Sequence, residues 1–173
     1  MILNKNVNQK IIVFGNAGSG KTTMSSRLSK QYNLAHLDLD TITWLDVKPP
    51  DRLPIADSLA KLNQFMVNNK SWVIEGCYTN LLLPVLDRTT LVIFLNLPVK
   101  LCVQNCKNRK WESHKYKSIE DQNHNLDMLI EWSKQYYTRS DEYSLNSHTK
   151  LFDDFNGKKI EYINNEWNLN LHN

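Results

Sequence analysis

Residues 10–14 (KIIVF) form a short apolar run rich in β-branched side chains and halted by Gly15, the pattern of a buried strand. Helical composition follows over 21–32, where Met24, Leu28 and Tyr32 recur every four residues on one face. Further strand-like runs stand at 35–39, 72–74 and 91–97, the last (LVIFLNL) nearly continuous, as a strand covered on both faces requires. Helix-length segments at 55–68 and 98–108 lie between them, with Pro98 suited to a first helical position. Residues 121–137 predict another helix, 144–155 a weaker one, and 159–163 (KIEYI) a last strand entered through Gly157. Alternating strands and helices imply a parallel, doubly wound α/β layer whose functional loops lie at the carboxyl ends of the strands. The Asn-rich end, 164–173, reads as frayed.

The chain has 173 residues, 41% hydrophobic and 23% charged, which fits one soluble globular domain spanning 1–173. Its net charge of +3 is too small and too evenly spread to make a nucleic-acid footprint by itself, so nucleic acid is an unfavoured partner, though not an excluded one. No apolar run approaches the ~20 residues a membrane helix needs, and residues 1–9 do not read as a signal peptide. Both points favour the cytoplasm. Cys77, Cys102 and Cys106 form no C-x-x-C pair. Cys102 and Cys106, four apart on a predicted helix, could join His114 or His124 around zinc, but that spacing matches no usual ligand pattern and the thiols read as half-buried.

The sharpest signal is Gly15-Asn16-Ala17-Gly18-Ser19-Gly20-Lys21-Thr22, which fits G-x-x-x-x-G-K-[ST] between a predicted strand and a predicted helix. Such a loop turns its backbone N–H groups onto phosphate oxygens, and the helix beginning near Lys21 adds its positive end. Lys21 is expected at the β and γ phosphates, the Thr22 hydroxyl on Mg²⁺, and Thr23 beside them. Asp38 and Asp40 (HLDLD) end the second predicted strand and point to one side if the strand continues through Asp40. Phosphoryl transfer to a hydroxyl uses one carboxylate toward the metal or its water and another to take the acceptor's proton.

With GNAGSGKTT, HLDLD and Val73-Ile74-Glu75-Gly76 in this order, the chain resembles the shikimate-kinase and nucleoside-monophosphate-kinase branch of the P-loop proteins. The run from the aspartates to Trp44, with Glu75-Gly76-Cys77-Tyr78, is most similar to small bacterial adenylate-kinase-like proteins labelled as DNA topology modulation proteins. The resemblance implies a three-layer P-loop fold with a five-stranded parallel sheet in the order 2-3-1-4-5, ATP with Mg²⁺, and a short lid near 109–121. It implies that Asp38 helps hold Mg²⁺, that Asp40 touches the acceptor hydroxyl and that Gly76 lines the acceptor pocket. The fourth strand runs into Asn96, not an aspartate, so Asp38, Asp40 and Glu75 share the metal role between them.

Six basic residues between Lys100 and Lys117, against the single acid Glu112, fall where this branch carries its lid. Arg109 is the choice for closing over the transferring phosphoryl group, since a guanidinium pairs bidentately with phosphate oxygens. Arg139 with Tyr143 repeats an Arg-x-x-x-Tyr spacing similar to that after the lid in shikimate kinases, which implies contact with the acceptor or the phosphates. Residues 41–57, with Pro49, Pro50 and Arg52, are expected to line the acceptor pocket. Trp44, Trp72, Trp111 and Trp132 read as core or lid packing. Two functions result: an ATP-dependent phosphotransferase moving the γ-phosphate to a small hydroxyl- or phosphate-bearing acceptor, as a monomer or homodimer, or a regulatory P-loop ATPase acting on DNA topology or a protein partner.

Overall fold

The computed structural model describes residues 8–45, 47, 51–112 and 117–169. Five strands, β1 (Lys10–Gly15), β2 (Ala35–Asp38), β3 (Trp72–Gly76), β4 (Leu91–Leu95) and β5 (Lys158–Tyr162), form one sheet. Their order is β2-β3-β1-β4-β5 with every pairing parallel, which matches the order implied by the resemblance. Helices α1 (Lys21–Tyr32), α2 (Asp40–Thr43), α3 (Ile55–Asn68), α4 (Thr79–Leu82), α5 (Val99–Lys107), α6 (Ile119–His124), α7 (Leu126–Lys134) and α8 (Leu145–Asp154) supply the crossovers.

The three central strands are buried on both faces, which is why they read as continuous apolar runs. Alternation then divides the core. Ile12, Phe14, Trp72, Ile74, Val92 and Phe94 face the layer holding Leu62 of α3, Leu81 and Leu82 of α4 and Leu151 of α8. Ile11, Val13, Val73, Leu91, Ile93 and Leu95 face Met24 and Leu28 of α1 and Cys102 of α5. A period of two along each strand thus produces the three layers.

Several elements differ from the sequence reading. The second strand stops at Asp38, and Asp40 opens α2, so the two aspartates do not share a strand face. The stop is local chemistry: Asp38 Oδ1 accepts the Asp40 N–H (3.0 Å), while the Thr41 and Thr43 hydroxyls donate to the carbonyls of Asp38 (2.7 Å) and Leu39 (2.6 Å). These side-chain bonds replace a strand ladder. The single helix expected over 121–137 is broken at Asn125, between α6 and α7, and ends in a 3₁₀ turn, Gln135–Tyr137. The tail is not frayed through Leu169: Trp167 and Leu169 pack on the α1 layer, and the Leu169 carbonyl accepts from the Tyr32 hydroxyl (3.0 Å). No helix among the described residues is long and apolar enough to cross a membrane.

Candidate functional site: a glycine loop and an acidic, aromatic cluster

The carboxyl ends of β2, β3 and β1 lie level with one another. Asp38 is opposite Glu75, Glu75 is opposite Val13, and Gly76 is opposite Phe14, so the acids leave the sheet two strands or fewer from the glycine loop. The loop between β1 and α1 is turned by Gly18 (φ 77°) and Gly20 (φ 91°), both in the left-handed region that side chains disfavour. A Cβ on Gly18 would meet the carbonyl of Cys102 and the Cys106 thiol, and one on Gly20 would meet the Trp167 ring at 2.7 Å. The loop is therefore curled and closely held by α5 and the tail.

Side chains fix it further. Asn16, buried, donates its amide to the Ser133 carbonyl (3.0 Å) and hydroxyl (3.1 Å), accepts the Ala17 N–H (2.8 Å), and so ties the loop to α7. Ser133 Oγ donates to the Ala17 carbonyl (3.2 Å), and Asn105 of α5 donates to the Gly18 carbonyl (2.9 Å). Lys21 folds its ammonium back onto the Asn16 carbonyl (2.9 Å), leaving Thr22 half-buried and Thr23 exposed at the start of α1. Ser19 is buried, its hydroxyl with no hydrogen-bond partner among the described residues. The sequence showed the loop but not its two asparagine and serine anchors, which become visible only when α5 and α7 are docked.

Just past β2, Asp40 accepts a 2.6 Å hydrogen bond from the Tyr78 hydroxyl, which itself accepts from Trp44 Nε1 at 2.8 Å. Burial, then the Asp40 charge, raises the Tyr78 pKa far above its ordinary value, so Tyr78 is a fixed neutral donor to the carboxylate. Glu75 is buried, its carboxylate 3.4 Å from His36 Nε2. Gly76 faces Leu39 and Tyr78, whose side chains fill the space a Cβ would need, and so it sits beneath the Tyr78 ring.

Arg52 and Arg139 complete the wall. Arg52 lies over the Tyr78 (5.6 Å) and Tyr143 (5.9 Å) rings and pairs with Glu142 at 2.7 Å. Burial disfavours its charge, but the Glu142 hydrogen bond and the surrounding charges outweigh that and raise its pKa. Arg139 stacks on Trp132 at 3.7 Å, lies 5.3 Å from the Tyr143 ring, and pairs with Asp141 at 2.9 Å. Trp44 and Trp132, expected as core or lid packing, are instead partly exposed at this cleft, 42% and 36%, while Trp72 is buried in the core as expected. Pro49 and Pro50 lie outside the described residues.

Arg109, just past α5, donates its backbone N–H to the Cys106 carbonyl (3.4 Å) and pairs with Glu112 (2.8 Å). Its neighbours are clamped to α6, with Gln122 donating to the Lys110 carbonyl (3.2 Å) and accepting the Glu112 N–H (2.8 Å). Part of the expected lid, 113–116 including His114, lies outside the described residues. Cys102 and Cys106 are fully buried, not half-buried, and burial pushes the Cys102 thiol up to about 11. Among the described residues no three His, Cys, Asp or Glu side chains gather as a metal cluster. The hard oxygen donors Thr22 and Asp38 suit Mg²⁺, an ion commonly held by one or two protein ligands, substrate phosphates and water.

Comparison with solved structures places this arrangement in a known fold. Shikimate kinase from Acinetobacter baumannii in complex with shikimate superposes with a TM-score of 0.52 at 16% identity, covering 94% of this chain and 87% of that one. A gluconokinase from Sinorhizobium meliloti 1021 gives 0.52 at 12% identity, covering 92% and 85%. Protein YqaC of Bacillus subtilis (strain 168) is 26% identical over 106 residues, which span 61% of this chain and 59% of that relative. The AAA domain family matches residues 11–128, from β1 through α1, the acidic strand ends and α6 into α7, and the chain, a P-loop protein with a kinase-like fold, belongs to that family.

Proposed function

We propose that the protein is a phosphotransferase that moves the γ-phosphate of ATP to a small hydroxyl- or phosphate-bearing acceptor, with Mg²⁺. The observation that carries this reading is the pairing of a curled, side-chain-anchored glycine loop with a carboxylate, Asp40, held by a neutral Tyr78 donor across the same strand ends. Gly15 through Thr23 cradle the triphosphate, with Lys21 released from the Asn16 carbonyl to reach the β and γ phosphates. Thr22 and Asp38 would hold the metal ion, which would neutralise phosphate charge.

In the transfer, the acceptor oxygen bonds to the γ-phosphorus as the bond from that phosphorus to the ADP oxygen breaks. With a hydroxyl acceptor its proton passes to the Asp40 carboxylate, giving ADP and a phosphate ester; with a phosphate acceptor the products are ADP and a phosphoanhydride. Arg109, at the base of a lid over 109–121, supplies positive charge to the equatorial oxygens. Gly76 and Arg139 belong to the acceptor side of the cleft. Catalysis here is positioning and charge stabilisation with no covalent intermediate.

The test is ADP formation across a panel of small acceptors, with nucleotide binding measured in parallel. Acceptor-stimulated turnover supports the proposal, with Lys21→Ala abolishing nucleotide binding and Asp40→Asn lowering turnover while binding persists. Slow hydrolysis indifferent to every acceptor would instead favour a regulatory ATPase.

A further inference from the structure

We infer that the acceptor is an uncharged, polyhydroxylated small molecule, and that Glu142 and Asp141 set this preference by occupying the cleft's two arginines. The inference rests on the phosphotransferase reading above. A site for an anionic acceptor needs a guanidinium whose fork is open to the incoming carboxylate or phosphate. Here both guanidiniums have intrachain carboxylate partners from one short stretch: Glu142 on a terminal nitrogen of Arg52 at 2.7 Å and Asp141 on Arg139 Nε at 2.9 Å. The faces of both guanidiniums are also covered, Arg139 by Trp132 at 3.7 Å and Arg52 by Tyr78 and Tyr143 at 5.6 and 5.9 Å.

Charge points the same way. Each guanidinium is neutralised by its own carboxylate, and Asp40 adds a negative charge beside them, so the two arginines offer an anionic acceptor no uncompensated positive charge. The Arg52–Glu142 pair is only 31% and 23% exposed, so salt screens it less than a surface pair and an incoming anion must displace a partner already in place. What the cleft offers instead is hydrogen-bonding capacity and apolar surface. The Asp40 carboxylate, oriented by the buried Tyr78 hydroxyl, can accept from an acceptor hydroxyl, and the partly exposed ring of Trp44 suits the C–H face of a sugar or cyclitol. The backbone of 142 is anchored independently, its carbonyl accepting from the Thr79 hydroxyl at 2.9 Å, so changing the Glu142 side chain need not dislodge the wall.

Matched pairs that differ in charge, glucose with glucuronate and glucitol with gluconate, decide the matter. In the wild type, kcat/KM for ADP formation is expected at least tenfold higher with the neutral member of each pair, the acceptor hydroxyl forming its O–P bond as the γ-phosphate leaves ADP and the proton passes to Asp40. Glu142→Gln, which removes the negative charge paired with Arg52, is expected to raise the anion-to-neutral ratio at least tenfold. A wild type that prefers the acids, or a ratio unmoved in Glu142→Gln, overturns the inference. Calorimetric binding of the same pairs at saturating ADP separates the two ideas: neutral ligands that bind without ADP formation sink the phosphotransferase reading alone. Nucleotide bound with neither member of any pair binding, in wild type and variant alike, sinks this one.

Discussion

Mild acid is expected to destabilise this protein through one buried imidazole. His148 of α8 is fully buried, its ring edge-on to Phe14 and Phe94, with Nδ1 2.7 Å from the Tyr136 hydroxyl and Nε2 2.9 Å from the Cys77 carbonyl. One neutral tautomer satisfies both partners: Nε2–H donates to the carbonyl and Nδ1 accepts from the phenol. Burial, partly opposed by the Cys77 bond, lowers its pKa from 6.5 to about 4. The unfolded chain therefore binds more protons between those values, so this stability is fully present above pH 6.5 and is lost as pH falls toward 4. Linkage over that interval gives about 2.5 kcal/mol lost between pH 7.5 and 4.5, a large share of a typical domain's total. The assay is urea denaturation of wild type and His148→Gln across that range, the variant retaining one donor and one acceptor without a titrating ring. The wild type should lose about 2.5 kcal/mol more than the variant. Equal pH dependence in the two proteins would show that His148 is not held neutral.

Gly18→Ala forces a left-handed φ on alanine and drives its methyl into the Cys102 carbonyl, so thermal denaturation should show about 2 kcal/mol of destabilisation or more, a fall of roughly 4–8 °C in Tm. Tyr78→Phe removes the hydroxyl that donates to Asp40 and accepts from Trp44. It should lower kcat by roughly 10- to 100-fold with ATP affinity unchanged, and an unchanged kcat would remove Tyr78 as the residue positioning Asp40. Arg109→Ala should lower kcat by about 100-fold in steady-state kinetics while KM for ATP moves little, since its charge acts on the transferring group.

What the sequence made legible was local. The strand from Lys10, the glycine loop and α1 could be read because a buried β-branched run, a fixed glycine spacing and a helical period each leave their mark within a few residues. The end of β2 was misread because alternation continued through Leu39 and Asp40, while the outcome turned on side-chain oxygens capturing backbone groups at Asp38, Thr41 and Thr43. The break at Asn125 left no mark in the composition of 121–137, and the docked tail hid behind a polar stretch of which, among the described residues, Trp167 and Leu169 reach the core. Asp40 could be named from its motif, but Tyr78 is 38 residues away and the Arg52–Glu142 pair joins segments 90 residues apart. No periodicity encodes such contacts.

The stretch that sequence reading treated most lightly, from α7 into α8, supports both halves of the cleft. Ser133 holds Asn16 and the Ala17 carbonyl of the glycine loop, while the adjacent Trp132 carries Arg139 on its ring. A few residues on, Asp141 and Glu142 take the two arginines, and His148 fixes the Cys77 carbonyl beside Tyr78. Because these contacts are made by consecutive segments packed on one sheet, the loop and the Asp40–Tyr78 pair share a common support. A substitution at Ser133 that frees Asn16 is therefore expected to disturb nucleotide binding first. One at His148 should loosen the Tyr78 side first, and comparing the two by separate nucleotide and acceptor titrations tests whether that shared wall sets the geometry of the site.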